Sequence, residues 1–316
     1  MSCIVQSAQA DFAALRRLQS LTCFTPTVLS VLLVSWNTRD LLRACLLSLQ
    51  THLAEVEHEI IVADSASGDD SARMVAHEFP SVTLLELPTN VGFARGNNLA
   101  FERSRGQWIW VLNPDTEVFE GAAQTLVAFL ESHPQAGGVA SALIDARDGS
   151  YQRSCRTFPT PGALWSEATG LARAFARSKR FGGYKMGWFN HRTQRKVEQP
   201  MASSLLLRRE AIESSGGLFD ERFPIFFNDV DLCWRLIQAG WEIWYEPEAK
   251  VLHWGGASTK QRRAAMIAES HRSLLAFYDL HFRARLNPLV FWATLGLVWL
   301  SGKARVWVAR KRPASG

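Results

Sequence analysis

From residue 28 the chain alternates two apolar patterns. Residues 28–36 (VLSVLLVSW) form a continuous, β-branched run, which predicts a strand buried on both faces of a parallel sheet. The polar Asn37-Thr38-Arg39-Asp40 then stands ready to cap the helix LLRACLLSLQ. A second strand over 59–63 leads through a polar turn, Asp64 to Ser71, into a helix ending near Glu78. A third strand spans 82–87, and residues 90–98 (NVGFARGNN) predict a Gly/Asn-rich loop before the next helix. The fourth strand, 107–112, runs into Asn113-Pro114-Asp115-Thr116, and 201–207 returns to strand before a helix over 208–214. Strands alternating with helices imply an α/β, mostly parallel sheet with flanking helices and right-handed crossovers. Polar loops at the C-terminal strand ends then form one ligand crevice, which should gather Asp64, Asn97 and Asp115.

Residues 219–258 hold the densest chemistry. Val230, Cys233, Trp234 and Ile237 recur at the spacing of a helix with one buried face. Asn228 and Asp229 stand where N-cap residues belong, and Gly240 fits the position that closes the helix. Residues 241–246 predict a strand ended by Pro247. A carboxylate at a helix N-terminus lies beside free N–H groups that keep it ionised, so Asp229 suits a base and equally a plain cap. Asp231 is spaced i,i+4 from Arg235 for an ion pair, with an acceptor contact as its other role. On the residues alone, His253 reads as a core or turn histidine or a ligand, and Asp115 as a turn former or a functional carboxylate.

Composition changes little of this. In 316 residues, 47% hydrophobic and 21% charged is ordinary for a globular chain that can bury a full core. The net charge of +5 matters less than its placement. No carboxylate follows Asp279, whereas Arg283, Arg285, Lys303, Arg305, Arg310, Lys311 and Arg312 do. Five scattered cysteines (Cys3, Cys23, Cys45, Cys155, Cys233) without a CxxC pair suggest neither a zinc site nor a disulfide framework, and a reducing compartment. No signal peptide is evident, and no segment reaches the roughly 18–20 apolar residues of a spanning helix.

Six motifs in order resemble the family 2 glycosyltransferases of GT-A fold, in particular their bacterial rhamnosyltransferase-like branch. They are VSWNTRDLLRACLLSL, VADSASGDDS, NVGFARGNN, VLNPDTEV, SLLLRREAIESSGGLFDERF, and NDVDLCWRLIQAGWEIWYEPEAKVLH with its trailing GGAS. The resemblance covers residues 28–282, after an N-terminal extension over 1–27. It implies that Asp64 contacts the donor's pyrimidine, with Asn37, Asn90, Gly92, Arg95 and Asn97 on the same donor-nucleotide side. It also implies that Asp115 and His253 hold a divalent metal (Mn²⁺ or Mg²⁺) and that Asp229 is the catalytic base. Asn228 and Asp231 remain candidates for acceptor contact or helix capping. The implied reaction is inverting transfer of a sugar, rhamnose, from a dTDP-sugar to a glycan or polyprenyl-linked acceptor in cell-surface polysaccharide synthesis. Asn113 stands where the family carries the first carboxylate of Asp-x-Asp, which motivates an alternative: a non-catalytic sugar-nucleotide-binding or assembly protein on the same scaffold. A dinucleotide-dependent oxidoreductase is disfavoured, because the first strand–helix turn has no GxGxxG.

Two regions carry no motif. Residues 149–200 are basic, aromatic and Gly-rich without clear periodicity, which reads as an acceptor-side insertion or a mobile loop. Residues 283–316 form a basic, Trp-rich tail, expected as an amphipathic helix. Its block LVFWATLGLVWL is short for a bilayer, while Trp292, Trp299 and Trp307 with flanking cations fit a membrane-surface anchor through 286–312. The expected location is cytoplasmic, peripheral at the inner face of the plasma membrane. The other use of the tail is packing on its own domain or on another subunit of a homodimer; nucleic acid is not expected as a partner.

Overall fold

The computed structural model describes residues 29–255 and 263–311. The N-terminal extension over 1–27, with Cys3 and Cys23, and the Gly256-Ala257-Ser258 end of the GGAS motif lie outside these described residues.

β1 (Leu29–Ser35) is buried at every position, as a run without a polar face requires. It pairs in parallel with β2 (His58–Asp64) and β4 (Trp108–Leu112), and β3 (Thr83–Glu86) adds beyond β2. The crossovers run through α1 (Arg39–His52), α2 (Ser71–Glu78) and α3 (Gly92–Arg103). The stretch expected as a loop over 90–98 is therefore mostly helix. Its glycines serve close packing: a Cβ on Gly96 would meet the Val34 side chain at 2.9 Å. The N–H groups of Phe93 and Ala94, at the start of α3, both donate to the Pro224 carbonyl.

Three elements fill the stretch the sequence pattern leaves unassigned: β5 (Thr116–Val118), α4 (Ala122–Ser132) and β6 (Ala136–Asp145). β10 (Ser204–Arg208) lies antiparallel between β4 and β6 and is followed by α7 (Arg209–Ser214). After α8 (Asn228–Gln238), β11 (Glu242–His253) pairs in parallel with β6 and antiparallel with β5. The strand order is β3-β2-β1-β4-β10-β6-β11-β5, so a parallel core is extended by antiparallel pairs. Pro247 does not end β11; the register shifts between Glu246 and Lys250, and the bulge absorbs the residue that cannot donate to the ladder.

Residues 149–200 fold onto this frame. β7 (Cys155–Arg156) pairs with β9 (Gln199–Pro200), and β8 (Arg195–Lys196) pairs with β11. Between them lie α5 (Pro161–Ala168) and α6 (Leu171–Ala174). Cys155, Phe158, Met186, Phe189 and Val197 join one of the two hydrophobic clusters of the core, with residues of α3, α7 and α8. The other cluster is covered by α1, α2 and α4. Cys45, Cys155 and Cys233 are buried and free, and burial pushes the thiols of Cys45 and Cys155 up to about 12.

The tail is one long helix. α9 (Arg263–Phe282) packs against α10 (Pro288–Lys311), which also contacts α5, where Trp165 Nε1 donates to Thr294 Oγ1 at 3.2 Å. The expectation that no segment could span a bilayer is corrected here: Pro288–Ala309, 22 residues, is long and apolar enough by length and composition. The span runs on past the apolar block through Ser301, Gly302, Ala304, Val306 and Val308 to Ala309. Phe291, Thr294, Val298 and Gly302 form the buried stripe, while Leu289, Trp292, Trp299, Leu300 and Trp307 are exposed.

Candidate active-site pocket

The register of the sheet assembles the site. Ser35, at the end of β1, is opposite Asp64, at the end of β2, and Asn113-Pro114-Asp115 leaves β4 beside them. β5 then pairs with the end of β11, setting Thr116 opposite His253. The Trp254 N–H donates to the Asp115 carbonyl at 3.0 Å, locking the two segments together. These strand ends border a pocket of about 550 Å³. Its lining includes Trp36, Ser65, Asn90, Gly92, Asp115, Ala202, Asn228, Asp229 and His253.

His253 and Asp115 are both nearly buried, with His253 Nε2 3.5 Å from Asp115 Oδ1. Gln152 decides what that pair can do. Its Nε2 donates to the His253 carbonyl at 3.0 Å, so its Oε1 is the atom facing His253 Nδ1 at 2.7 Å. A carbonyl only accepts, so the amide cannot be turned the other way, and the ring proton belongs on Nδ1. In the neutral ring Nε2 then presents a lone pair to a carboxylate oxygen, an arrangement that a cation completes, whether a metal ion or a second ring proton. Among the described residues no group of three or more His, Cys, Asp and Glu converges. Among the described residues a bound ion would therefore have Asp115 and His253 as its carboxylate and imidazole ligands, with other oxygens completing its shell.

Asp229 opens α8 on another part of the pocket wall. The expected cap is corrected: the N-cap is Phe227, left-handed at φ 68, and it makes no side-chain cap bond. Asn228 holds that turn, donating from Nδ2 to the Ile225 carbonyl at 3.1 Å and accepting from the Asp229 N–H at 2.7 Å. Asp229 Oδ1 accepts from the Val230 N–H at 2.9 Å, whereas Oδ2 has only a 3.4 Å contact from the Ala202 N–H. Dense surroundings push this carboxyl above the ordinary carboxylate range, outweighing those N–H groups and the nearby Arg156. That reverses the expectation of a carboxyl held ionised by the helix terminus.

The remaining expected residues separate into groups. Asp64 is buried; Oδ2 accepts from the Ser67 N–H at 2.9 Å, while Oδ1 has no protein partner. Asn37, left-handed at φ 54, accepts from the Gly68 N–H, and Asn90 accepts from the Gly92 N–H. Arg95 is turned to Glu221 at 3.0 Å. Asn97 is buried within α3 and donates to the Phe93 carbonyl. Asp231 is also fully buried, between Arg235 Nε and His281 Nε2, each at 2.7 Å. Asn113 donates from Nδ2 to Ser203 Oγ at 3.1 Å. Sequence reasoning missed Gln152 and Phe227. Gln152 lies in a stretch without periodicity, 101 residues from its partner, and no local signal marks it.

Comparison with known proteins bears on the family and the fold. Residues 30–190 match Glycosyl transferase family 2. An N-acetylglucosaminyl-diphospho-decaprenol L-rhamnosyltransferase of Mycobacterium tuberculosis is 30% identical over 261 residues, covering 79% of this chain and 83% of the relative. A mannosyltransferase from Pyrobaculum calidifontis, solved with GDP-Man and Mn²⁺, superposes with a TM-score of 0.55 at 19% identity, over 93% of this chain and 77% of that one. TarS from S. aureus superposes with a TM-score of 0.52 at 15% identity, over 81% of this chain and 43% of that one. The fold is GT-A.

Proposed function

The chain belongs to glycosyl transferase family 2, and on that premise we propose that it transfers rhamnose from dTDP-rhamnose to a polyprenyl-diphosphate-linked glycan, with inversion and with a divalent metal. The observation that carries this reading is a single pocket lined by the Asp229 carboxylate and by Asp115 and His253. The name of the mycobacterial relative supports the sugar and the lipid-linked acceptor.

Each group has a task its surroundings suit. Asp64 Oδ1, buried without a partner, would accept from the N3–H of a pyrimidine base. Asp115 and His253 would hold the metal, and a mixed oxygen–nitrogen pair favours Mn²⁺ over Mg²⁺. When bound, the ion offsets charge developing on the diphosphate leaving group. Asp229 takes the acceptor hydroxyl's proton through Oδ2, the oxygen least engaged by the protein. Burial raises its basicity, which strengthens a carboxylate for that work. A hydroxyl activated opposite the leaving group displaces it directly, inverting the anomeric centre.

The exposed apolar face of α10 supports contact with a membrane surface, and the cytoplasmic face of the plasma membrane is the location this reading takes. Because its other stripe is packed on α9 and α5, the helix suits lying at the interface alongside its own domain.

Donor binding is tested by thermal shift with dTDP, UDP and GDP, with and without Mn²⁺, on wild type and Asp115→Ala. Metal-dependent stabilisation by dTDP, lost in the variant, is expected; no shift with any nucleotide would remove the donor site. One observation favours a non-catalytic reading: Asn113 leaves Asp115 as the sole carboxylate of that turn. Donor hydrolysis or transfer that depends on Asp229 excludes it.

A further inference from the structure

A second cavity, of about 510 Å³, opens where the 149–200 insertion meets α10, and it shares no lining residue with the first pocket. Arg153, Arg173, Lys185 and Arg305 line it against one carboxylate, Glu167, which pairs with Lys185. The side chains of Arg153, Arg173 and Arg305 make no hydrogen bond or ion pair among the described residues. All three arginines are exposed, so their guanidinium donors face solvent around the cavity and are free to take an anion with bidentate geometry.

The cavity wall is built rather than incidental. A Cβ on Gly182 or Gly187 would stand 2.3 or 2.4 Å from the Ala176 carbonyl oxygen, so the chain folds back on itself there only because both residues are glycine. The position relative to the first pocket is equally specific. Arg153 directly follows Gln152, which holds His253. Arg153 also precedes Ser154, whose carbonyl accepts from the Met201 N–H at 2.9 Å, and the next residue, Ala202, reaches Asp229 Oδ2 through its N–H at 3.4 Å. The cavity therefore lies on the Asp229 side of the reaction site. Arg305 comes from α10, which also exposes Trp299 and Leu300.

We propose that this cavity binds the diphosphate of the lipid-linked acceptor, with the prenyl chain leaving along the exposed face of α10. The proposal rests on the reading that the acceptor is polyprenyl-diphosphate-linked, and adds where its anionic group is held. A diphosphate meets several guanidinium forks with bidentate geometry, and the volume falls in the usual range of about 300–1,000 Å³ for ligand sites.

The test uses the full chain in detergent micelles with three probes: farnesyl diphosphate, inorganic pyrophosphate and vesicles of phosphatidylglycerol. The variants are Arg153→Gln with Arg173→Gln, and the charge-keeping Arg153→Lys with Arg173→Lys. Farnesyl diphosphate is expected to bind wild type, to lose about tenfold or more in affinity in the Gln pair, and to be largely retained in the Lys pair. Pyrophosphate is expected to compete weakly, and dTDP binding to be the same in all three proteins. Equal binding of farnesyl diphosphate by wild type and the Gln pair overturns the proposal, as does equal loss in the Lys pair. Tighter binding of pyrophosphate than of the prenyl compound would assign the cavity to a free anion. An effect of the Gln pair on phosphatidylglycerol vesicles alone would assign it to bulk lipid. Absence of farnesyl diphosphate binding with dTDP binding intact defeats only this proposal; absence of dTDP binding by wild type defeats the donor reading instead.

Discussion

Gln152 grips His253 twice, through the backbone carbonyl at 3.0 Å and through Nδ1 at 2.7 Å, and so fixes which ring nitrogen faces Asp115. Removing a group that orients a metal-ligating histidine lowers metal affinity by about 10- to 100-fold. Gln152→Ala should therefore weaken Mn²⁺ binding in that range while metal-free dTDP binding stays unchanged. Mn²⁺ titration followed by electron paramagnetic resonance checks it, and unaltered affinity would refute the orienting role.

Asp229→Asn should abolish transfer, by about 10²-fold or more, and raise the melting temperature at neutral pH. The sign follows from burial, which lifts the folded-state pKa above the unfolded one. Below the unfolded value the carboxyl is protonated in both states and costs nothing. As pH rises through the folded value, stability is lost, because the ionised form is the one burial disfavours. The neutral amide escapes that loss, so the gap in melting temperature between variant and wild type should widen from the unfolded pKa up to the raised folded one and stay constant above it.

The same shift sets the pH profile. If Asp229 must be ionised to accept a proton, kcat/KM falls as pH drops through its raised pKa, at higher pH than an exposed aspartate would give. A profile whose acidic limb coincides with an ordinary surface carboxylate would count against Asp229 as the base.

Asp231 is a structural residue by its contacts. Its carboxylate is fully buried between Arg235 and His281, tying α8 to α9, and Arg235 also donates to the carbonyls of Ser215, Gly217 and Leu218. Removing one partner of a buried pair leaves the other uncompensated, at about 3–5 kcal/mol. Asp231→Ala should lose stability on that scale in denaturant titration, and the folded fraction should bind dTDP with wild-type affinity.

The exposed face of α10 is open to direct measurement. Replacing Leu289, Trp292 and Leu300 with serine removes apolar area that a bilayer would bury, at about 1.5–3 kcal/mol for each full burial. Flotation with anionic vesicles should show at least a tenfold drop in the bound fraction, with donor hydrolysis retained. Undiminished flotation would mean that another surface holds the membrane.

The sequence by itself determined the parts whose cause is local. The largely apolar, β-branched run of β1 reads as a strand buried on both faces. Of the spaced residues Val230, Cys233, Trp234 and Ile237, the helix α8 buries the first two and packs the last two, partly buried, against the core. Asp229, Asp115 and His253 were legible as candidates because the order of their motifs resembles that of the family; their local pattern alone left each with an ordinary structural reading. What the tertiary structure decided depends on groups far apart in the chain. Gly96 proves to be a helical residue that packs against Val34, a contact only the fold brings about, and β11 runs past Pro247 because β6 and β5 continue to pair with it. The rise in the Asp229 pKa comes from what surrounds it, and helix position alone predicts the opposite direction. Gln152 shows the limit most plainly: one amide, unremarkable in sequence, meets a histidine 101 residues away, and hydrogen-bond geometry gives that contact its meaning.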